Sequence, residues 1–133
     1  MLAKTSAGGL CIAFPDVCLT PAPPSPSPVP IPYPNTGVEP SDLSFAPNVL
    51  ITCTPAHNMS TQPIMTQGDN LGVATGVASG TVMGPARTVT AAFTVLVGGM
   101  PLARLTSATI QNSTNAPGCK IVPSATNVLV LAP

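Results

Sequence analysis

The chain has 133 residues, the size of one domain; 44% are hydrophobic, only 6% are charged, and the formal net charge is zero. Four cations (Lys4, Arg87, Arg104, Lys120) cannot build the basic stripe that phosphate binding needs. Four aromatics (Phe14, Tyr33, Phe45, Phe93) cannot build a base-stacking platform, so nucleic acid is excluded as a partner. The hydrophobic share excludes ordinary disorder, and so little charge predicts an apolar surface covered by a partner.

Residues 1–13, which begin "MLAKTSAGGLC", have no continuous apolar core and make a poor signal peptide. The longest apolar runs, such as Phe93 to Val97, fall far short of the roughly 20 residues of a spanning helix, so no stable membrane insertion is expected. The reading is of a cytoplasmic chain whose export, if any, uses a dedicated machine.

Residues 14–40 carry a proline-rich strap, and nine prolines lie between Phe14 and Gly37. Each proline fixes φ and removes a donor, and each residue before one is pushed toward extended backbone. In "VPIPYP" (Val29 to Pro34) proline alternates with Val, Ile and Tyr. On an extended backbone the apolar residues then share one face and the prolines the other. A solvated linker would have no use for that face, so the strap is predicted to lie ordered on a core.

Beyond the strap the sequence repeats. "NVLITCTPAHNMST" (48–61) aligns without a gap over "TVLVGGMPLARLTS" (94–107), at an offset of 46 residues. A third copy starts at "NVLVLAP" (127–133) and stops at its proline. Each copy reads as a β-hairpin element. Val95 to Val97 is a β-prone run, Gly98-Gly99 is a strong two-residue turn, and Leu102 to Leu105 is expected to return as the second strand. In the first copy Thr52-Cys53 takes the turn, a less usual pair. Between the hairpins, Met65 to Ala86 is punctuated by glycine and proline too often for a helix. The whole is predicted to be one small all-β domain, residues 1–133.

Four cysteines (Cys11, Cys18, Cys53, Cys119) and one histidine (His57) are the soft ligands available. No CxxC pair occurs, and metal binding, disulfides and buried free thiols all stay open. A Ser-His-Asp hydrolase would have to join His57 to Asp16, Asp42 or Asp69, and no G-x-S-x-G elbow is present. Gly68-Asp69-Asn70 reads as a turn, and Asp16 as an acceptor for backbone donors in the strap. The chain is expected not to be an enzyme. Arg104 is read as facing solvent.

"FPDVCLTP", "PVPIPYPN", "GVASGTVMGP", "GGMPLARLTS" and "PGCKIVPSATNVLVL", taken together and in this order, resemble the PAAR-like family of type VI secretion spike-tip proteins. The resemblance runs from about Gly9 to Leu131. It implies a short β-rich cone on the end of a trimeric VgrG-type spike, one chain per trimer. The chain would wait in the cytoplasm, without a signal peptide, and leave the cell when the contractile machine fires. It also implies an effector or toxin as cargo, supplied separately because the chain stops soon after its last predicted strand. PAAR cones similar to this one hold zinc through three histidines and a cysteine. This sequence departs from that pattern, so Cys11, Cys18, His57 and Cys119 are the candidate zinc ligands, with Cys53 as a substitute. The competing reading is a small secreted β-module for adhesion or carbohydrate binding, held by two disulfides.

Overall fold

The computed structural model describes residues 1–24 and 26–131. Ser25 of the strap, and Ala132 and Pro133 of the third repeat, lie outside the described residues. The protein is all-β, with eleven strands and one 3-10 turn, at Glu39–Ser41, among the described residues. In chain order the strands are β1 (Leu10–Thr20), β2 (Val29–Val38), β3 (Asp42–Leu43), β4 (Ala46–Ile51), β5 (Thr54–Ala56) and β6 (Gln62–Pro63). There follow β7 (Arg87–Thr88), β8 (Ala92–Val97), β9 (Met100–Leu102), β10 (Ala108–Gln111) and β11 (Ala116–Val122).

One antiparallel sheet runs in the order β2-β1-β11-β10-β7. The proline strap supplies its edge. β2 pairs along the length of β1, from Leu10↔Val38 to Thr20↔Val29, and takes the position where lost N–H donors do no harm. Ile31 and Tyr33 are half-buried, and Asn35 and Gly37 are buried. Pro30, Pro32 and Pro34 face solvent between them. The register slips once: Ala13 pairs with Asn35, and Asp16, three residues on, pairs with Tyr33. That bulge puts one extra residue into β1 and resets its alternation. Cys11 and Ala13 before it, and Asp16 and Cys18 after it, are therefore all buried.

The second half of the molecule is a ring of three two-stranded units. The first is β4-β5 and the second is β8-β9, joined by matching pairs such as Leu50↔Pro55 and Leu96↔Pro101. The third is built from both ends of the sequence. Leu129 bridges Leu2, Val130 N–H donates to Met1 O at 2.6 Å, and Ala3 N–H donates to Val128 O at 3.1 Å. Residues 1–6 thus supply the return strand that the third repeat lacks. The units are tied in a closed cycle. His57 N–H donates to Lys4 O, Lys4 N–H to Ala103 O, and Ala103 N–H to His57 O, at 3.0, 3.1 and 3.0 Å. A second cycle runs the other way round, from Ser6 to Pro55 O, Met59 to Pro101 O and Leu105 to Leu2 O. Residues at equivalent places in the three copies make equivalent bonds, so the ring has three-fold pseudosymmetry. Ala3, Ala46, Ala56, Ala92, Val97, Leu102 and Val130 fill its centre, with Val49, Val95 and Val128 packed against them.

The return strand of the second hairpin is Met100–Leu102 rather than Leu102 to Leu105. Gly98-Gly99 closes a two-residue turn, so pairing resumes at once with Val97↔Met100. Ala103 and Arg104 have left the hairpin and bond to the neighbouring units instead.

Candidate functional site

The bulge in β1 turns Asp16 and Cys18 inward as neighbours on one face. The glycine-rich loop after β6 brings Asp69 to meet them. Gly68 sits at φ 127°, against the carbonyl of Pro34, and any side chain there would collide with β2. The loop returns along β1 through Leu19 N–H to Thr75 O (2.8 Å) and Val77 N–H to Val17 O (3.0 Å). Asp16, Cys18 and Asp69 each present one ligand atom within 4.8 Å of the others, and all three are buried. Cys18 Sγ lies 3.4 Å from Asp16 Oδ1 and 3.7 Å from Asp69 Oδ2. Three amides surround Asp16. Asn35 Nδ2 donates to Oδ2 at 2.8 Å, and Asn112 and Asn115 donate to Oδ1. Met83 N–H donates to Asp69 Oδ2 at 3.1 Å. Burial first, and then the neighbouring Asp16 and Asp69, push the Cys18 thiol up to about 12. Burial, with Asp16 adding to it, also raises Asp69 above the usual carboxylate range, although the Met83 N–H bond works against this.

A second buried cluster joins the ring to the sheet. Glu39 receives Lys4 Nζ at 2.5 Å and Lys120 Nζ at 2.8 Å, with all three side chains at most 1% exposed. Two of the four cations are thus paired inside the protein. Next to this triad, His57 Nε2 lies 3.0 Å from Ser6 Oγ, and His57 Nδ1 lies 3.5 Å from Asp42 Oδ2 without hydrogen-bond geometry. Burial, reinforced by Lys120 and Lys4, pushes His57 down to about 3. Burial pushes Asp42 up to about 7, Lys120 and Lys4 opposing and Glu39 adding to the shift. Ser6, His57 and Asp42 therefore stand in the order of a hydrolase triad, but the imidazole is a feeble base.

On its outside the ring presents three equivalent leucines. Leu50, Leu96 and Leu129 are 61%, 64% and 60% exposed. Each follows a half-buried valine (Val49, Val95, Val128) and precedes a more buried β-branched residue (Ile51, Val97, Val130). The near-equal exposures are the surface expression of the three-fold pairing beneath them.

The sequence-predicted ligands are dispersed. Cys11 is buried on β1 with its Sγ donating to Gly37 O at 3.4 Å. Cys18 is in the aspartate cluster, His57 is beside Asp42, and Cys119 is half-buried on β11 opposite Ile12 and Ala108. Cys53 is exposed in the first hairpin turn. Among the described residues Asp16, Cys18 and Asp69 form the one group of three or more His, Cys, Asp or Glu at metal-binding spacing, so the structure does not bring Cys11, Cys18, His57 and Cys119 together. All four cysteines are free. The sequence reading named both aspartates but not as metal ligands. The D-x-C spacing of Asp16 and Cys18 on a strand was the available signal for the first, while Asp69 arrives from a distant loop. Arg104, read as facing solvent, is half-buried.

A family model described as "Toxin PAAR-like domain" matches residues 9–118. No curated protein and no solved structure matches the chain.

Proposed function

Because the chain belongs to the Toxin PAAR-like domain family, we propose that it is a structural spike tip, which caps a trimeric VgrG-type spike of a type VI secretion system, one chain per trimer. The observation that carries this reading is the three-fold ring. A single chain covering the end of a trimer must offer three similar contacts from a sequence that is not symmetric. Leu50, Leu96 and Leu129 provide an apolar group at each equivalent place. A chain with 6% charged residues and so much exposed leucine suits permanent coverage by a partner.

The role proposed is not catalytic. A base held near 3 and fully buried, as His57 is, is poorly suited to take a serine proton at neutral pH, which supports this reading. The rigid parts fit a piercing role. The proline edge strand restricts the chain, and the ring is tied on all three sides. The reading carries with it a cytoplasmic chain loaded before firing and then delivered out of the cell, with an effector or toxin as cargo. No helix among the described residues is long and apolar enough to cross a membrane. A secreted module held by two disulfides would need paired thiols, whereas all four are free.

Native mass spectrometry of the full chain mixed with a co-encoded VgrG-type trimer tests the proposal. One chain per trimer is expected. Three chains per trimer, or no complex at micromolar concentration, would overturn it.

A further inference from the structure

We propose that Asp16, Cys18 and Asp69 form a buried site for a divalent, thiophilic metal ion, with Zn2+ the ion of best fit. Spacing comes first. Zinc bonds of about 2.0 Å to oxygen and about 2.3 Å to sulfur, at the tetrahedral angle, set S···O separations of about 3.5 Å. The observed separations from Cys18 Sγ are 3.4 Å to Asp16 and 3.7 Å to Asp69. The two sulfur–oxygen separations thus match two edges of one coordination tetrahedron, all three ligand atoms lie within 4.8 Å of one another, and a water can complete the set.

The cluster also contains an acceptor that none of the described residues satisfies. Asp69 is 0% exposed, and its carboxylate is aimed at the Cys18 sulfur, yet Asp69 Oδ1 has no hydrogen-bond partner. Leaving such an oxygen unpaired is costly, and a cation beside it removes the cost. No lysine does so here, because Lys4 and Lys120 are both engaged with Glu39. A metal would supply the missing positive charge between two aspartates that otherwise repel.

The surroundings are those of a supported ligand set. Asn35, Asn112 and Asn115 fix the Asp16 carboxylate, and Met83 N–H fixes Asp69. Asn112 is itself anchored, its Oδ1 accepting from Gly84 N–H at 3.0 Å and its Nδ2 donating to Thr81 O at 2.8 Å. A thiolate among the ligands selects against calcium and magnesium and in favour of zinc. On binding, a Zn–S bond replaces the S–H bond of Cys18 and two Zn–O bonds form. The thiol proton, and any carried by the aspartates, leave to solvent, so zinc uptake becomes weaker as pH falls.

The test is the metal content of the full chain, produced in zinc-supplemented medium and purified without chelators. About one Zn2+ per chain is expected in the wild type and in Cys11→Ser and Cys119→Ser, falling to roughly a tenth or less in Cys18→Ser and Asp69→Asn. A zinc-free wild type overturns the site, and so does zinc kept by Asp69→Asn but lost from Cys119→Ser or His57→Ala. Should the Cys18 variant not fold, the wild type refolded with Co2+ gives an independent reading. A thiolate-to-cobalt charge-transfer band is expected in the near ultraviolet, and its absence means that protons alone hold the cluster.

Discussion

Asp42 and His57 carry protonation states opposite to those they would have in water. In the folded chain the carboxyl titrates at about 7 and the imidazole at about 3, whereas the unfolded groups titrate near 3.9 and near 6.5. Between about pH 4 and pH 6.5 the unfolded pair therefore holds one proton, on the histidine. The folded pair also holds one, on the aspartate. Equal proton counts mean no pH dependence, so these residues leave stability level across that window. Below it the unfolded histidine stays charged while the folded one resists, and stability falls with acid. Asp42→Asn removes one side of the balance. The raised Asp42 pKa contributes stability that is lost as pH rises from about 4 to about 7, and the lowered His57 pKa contributes stability that is lost as pH falls from 6.5 toward 3. With Asp42 gone only the second remains. Relative to the wild type, urea unfolding of Asp42→Asn should lose up to about 1.4 kcal/mol per pH unit between pH 6 and pH 4. Parallel curves for the two proteins would show that the pair is not coupled to folding in this way. None of this was legible in the sequence. His57 was visible as a soft ligand, but that it lies beside Asp42, and that two lysines are buried close by, follows only from the ring closing on the sheet.

At the scale of single elements, the two hairpins show how far a repeat can be read. The same 46-residue offset separates β4-β5 from β8-β9, which share one pattern of pairing, while the return strand of the second begins at Met100 and not at Leu102. Their turns have the same backbone and different chemistry. Gly98 and Gly99 take φ 62° and 83°, and Thr52 and Cys53 take φ 53° and 64°. A two-residue turn with both central residues left-handed suits the twist of a hairpin, and glycine or asparagine enters it cheaply. Threonine, branched at Cβ, does not. Replacing Thr52-Cys53 by Asn-Gly should therefore stabilise the fold by about 1–2 kcal/mol, read as a higher midpoint in thermal or urea unfolding. A neutral or negative change would mean that Thr52 is held by more than the bond from its Oγ1 to Ile51 O. The alternation in "VPIPYP" is a local signal of the same kind, a strand pattern with the donors removed, and these residues lie in β2. The bulge in β1 is harder to read. Its one trace in the sequence is Pro15, since a proline inside a sheet is confined to edges and bulges, and the reset there decides which way Asp16 and Cys18 point.

For the molecule as a whole, the feature hidden from local reading is the third unit. Its outgoing strand, residues 127–130, was recognised as a truncated repeat. Its return strand is residues 1–6, which have no sequence likeness to the other return strands beyond short apolar positions such as Leu2 and Ala3. A contact between opposite ends of a sequence leaves no periodic trace, and only the cyclic hydrogen bonds reveal it. Once the ring is closed, the three leucines stop being scattered apolar residues and become one surface with a symmetry. If that surface caps a trimer, each leucine meets the same part of a different subunit, and each should matter equally. Burying the exposed part of one leucine side chain is worth about 1.4 kcal/mol, or roughly tenfold in affinity. Leu50→Ser, Leu96→Ser and Leu129→Ser should thus each weaken binding to a VgrG-type trimer by roughly tenfold, and the triple variant by roughly a thousandfold, since distant sites add. All of them should unfold within about 0.5 kcal/mol of the wild type, because the side chains are more than half exposed. Titration of each variant against the trimer, with unfolding curves as the control, measures both. Three similar losses would follow from the three-fold geometry. One dominant leucine with the other two within twofold of wild type would place the partner on one face of the ring and remove the reason for a single chain per trimer.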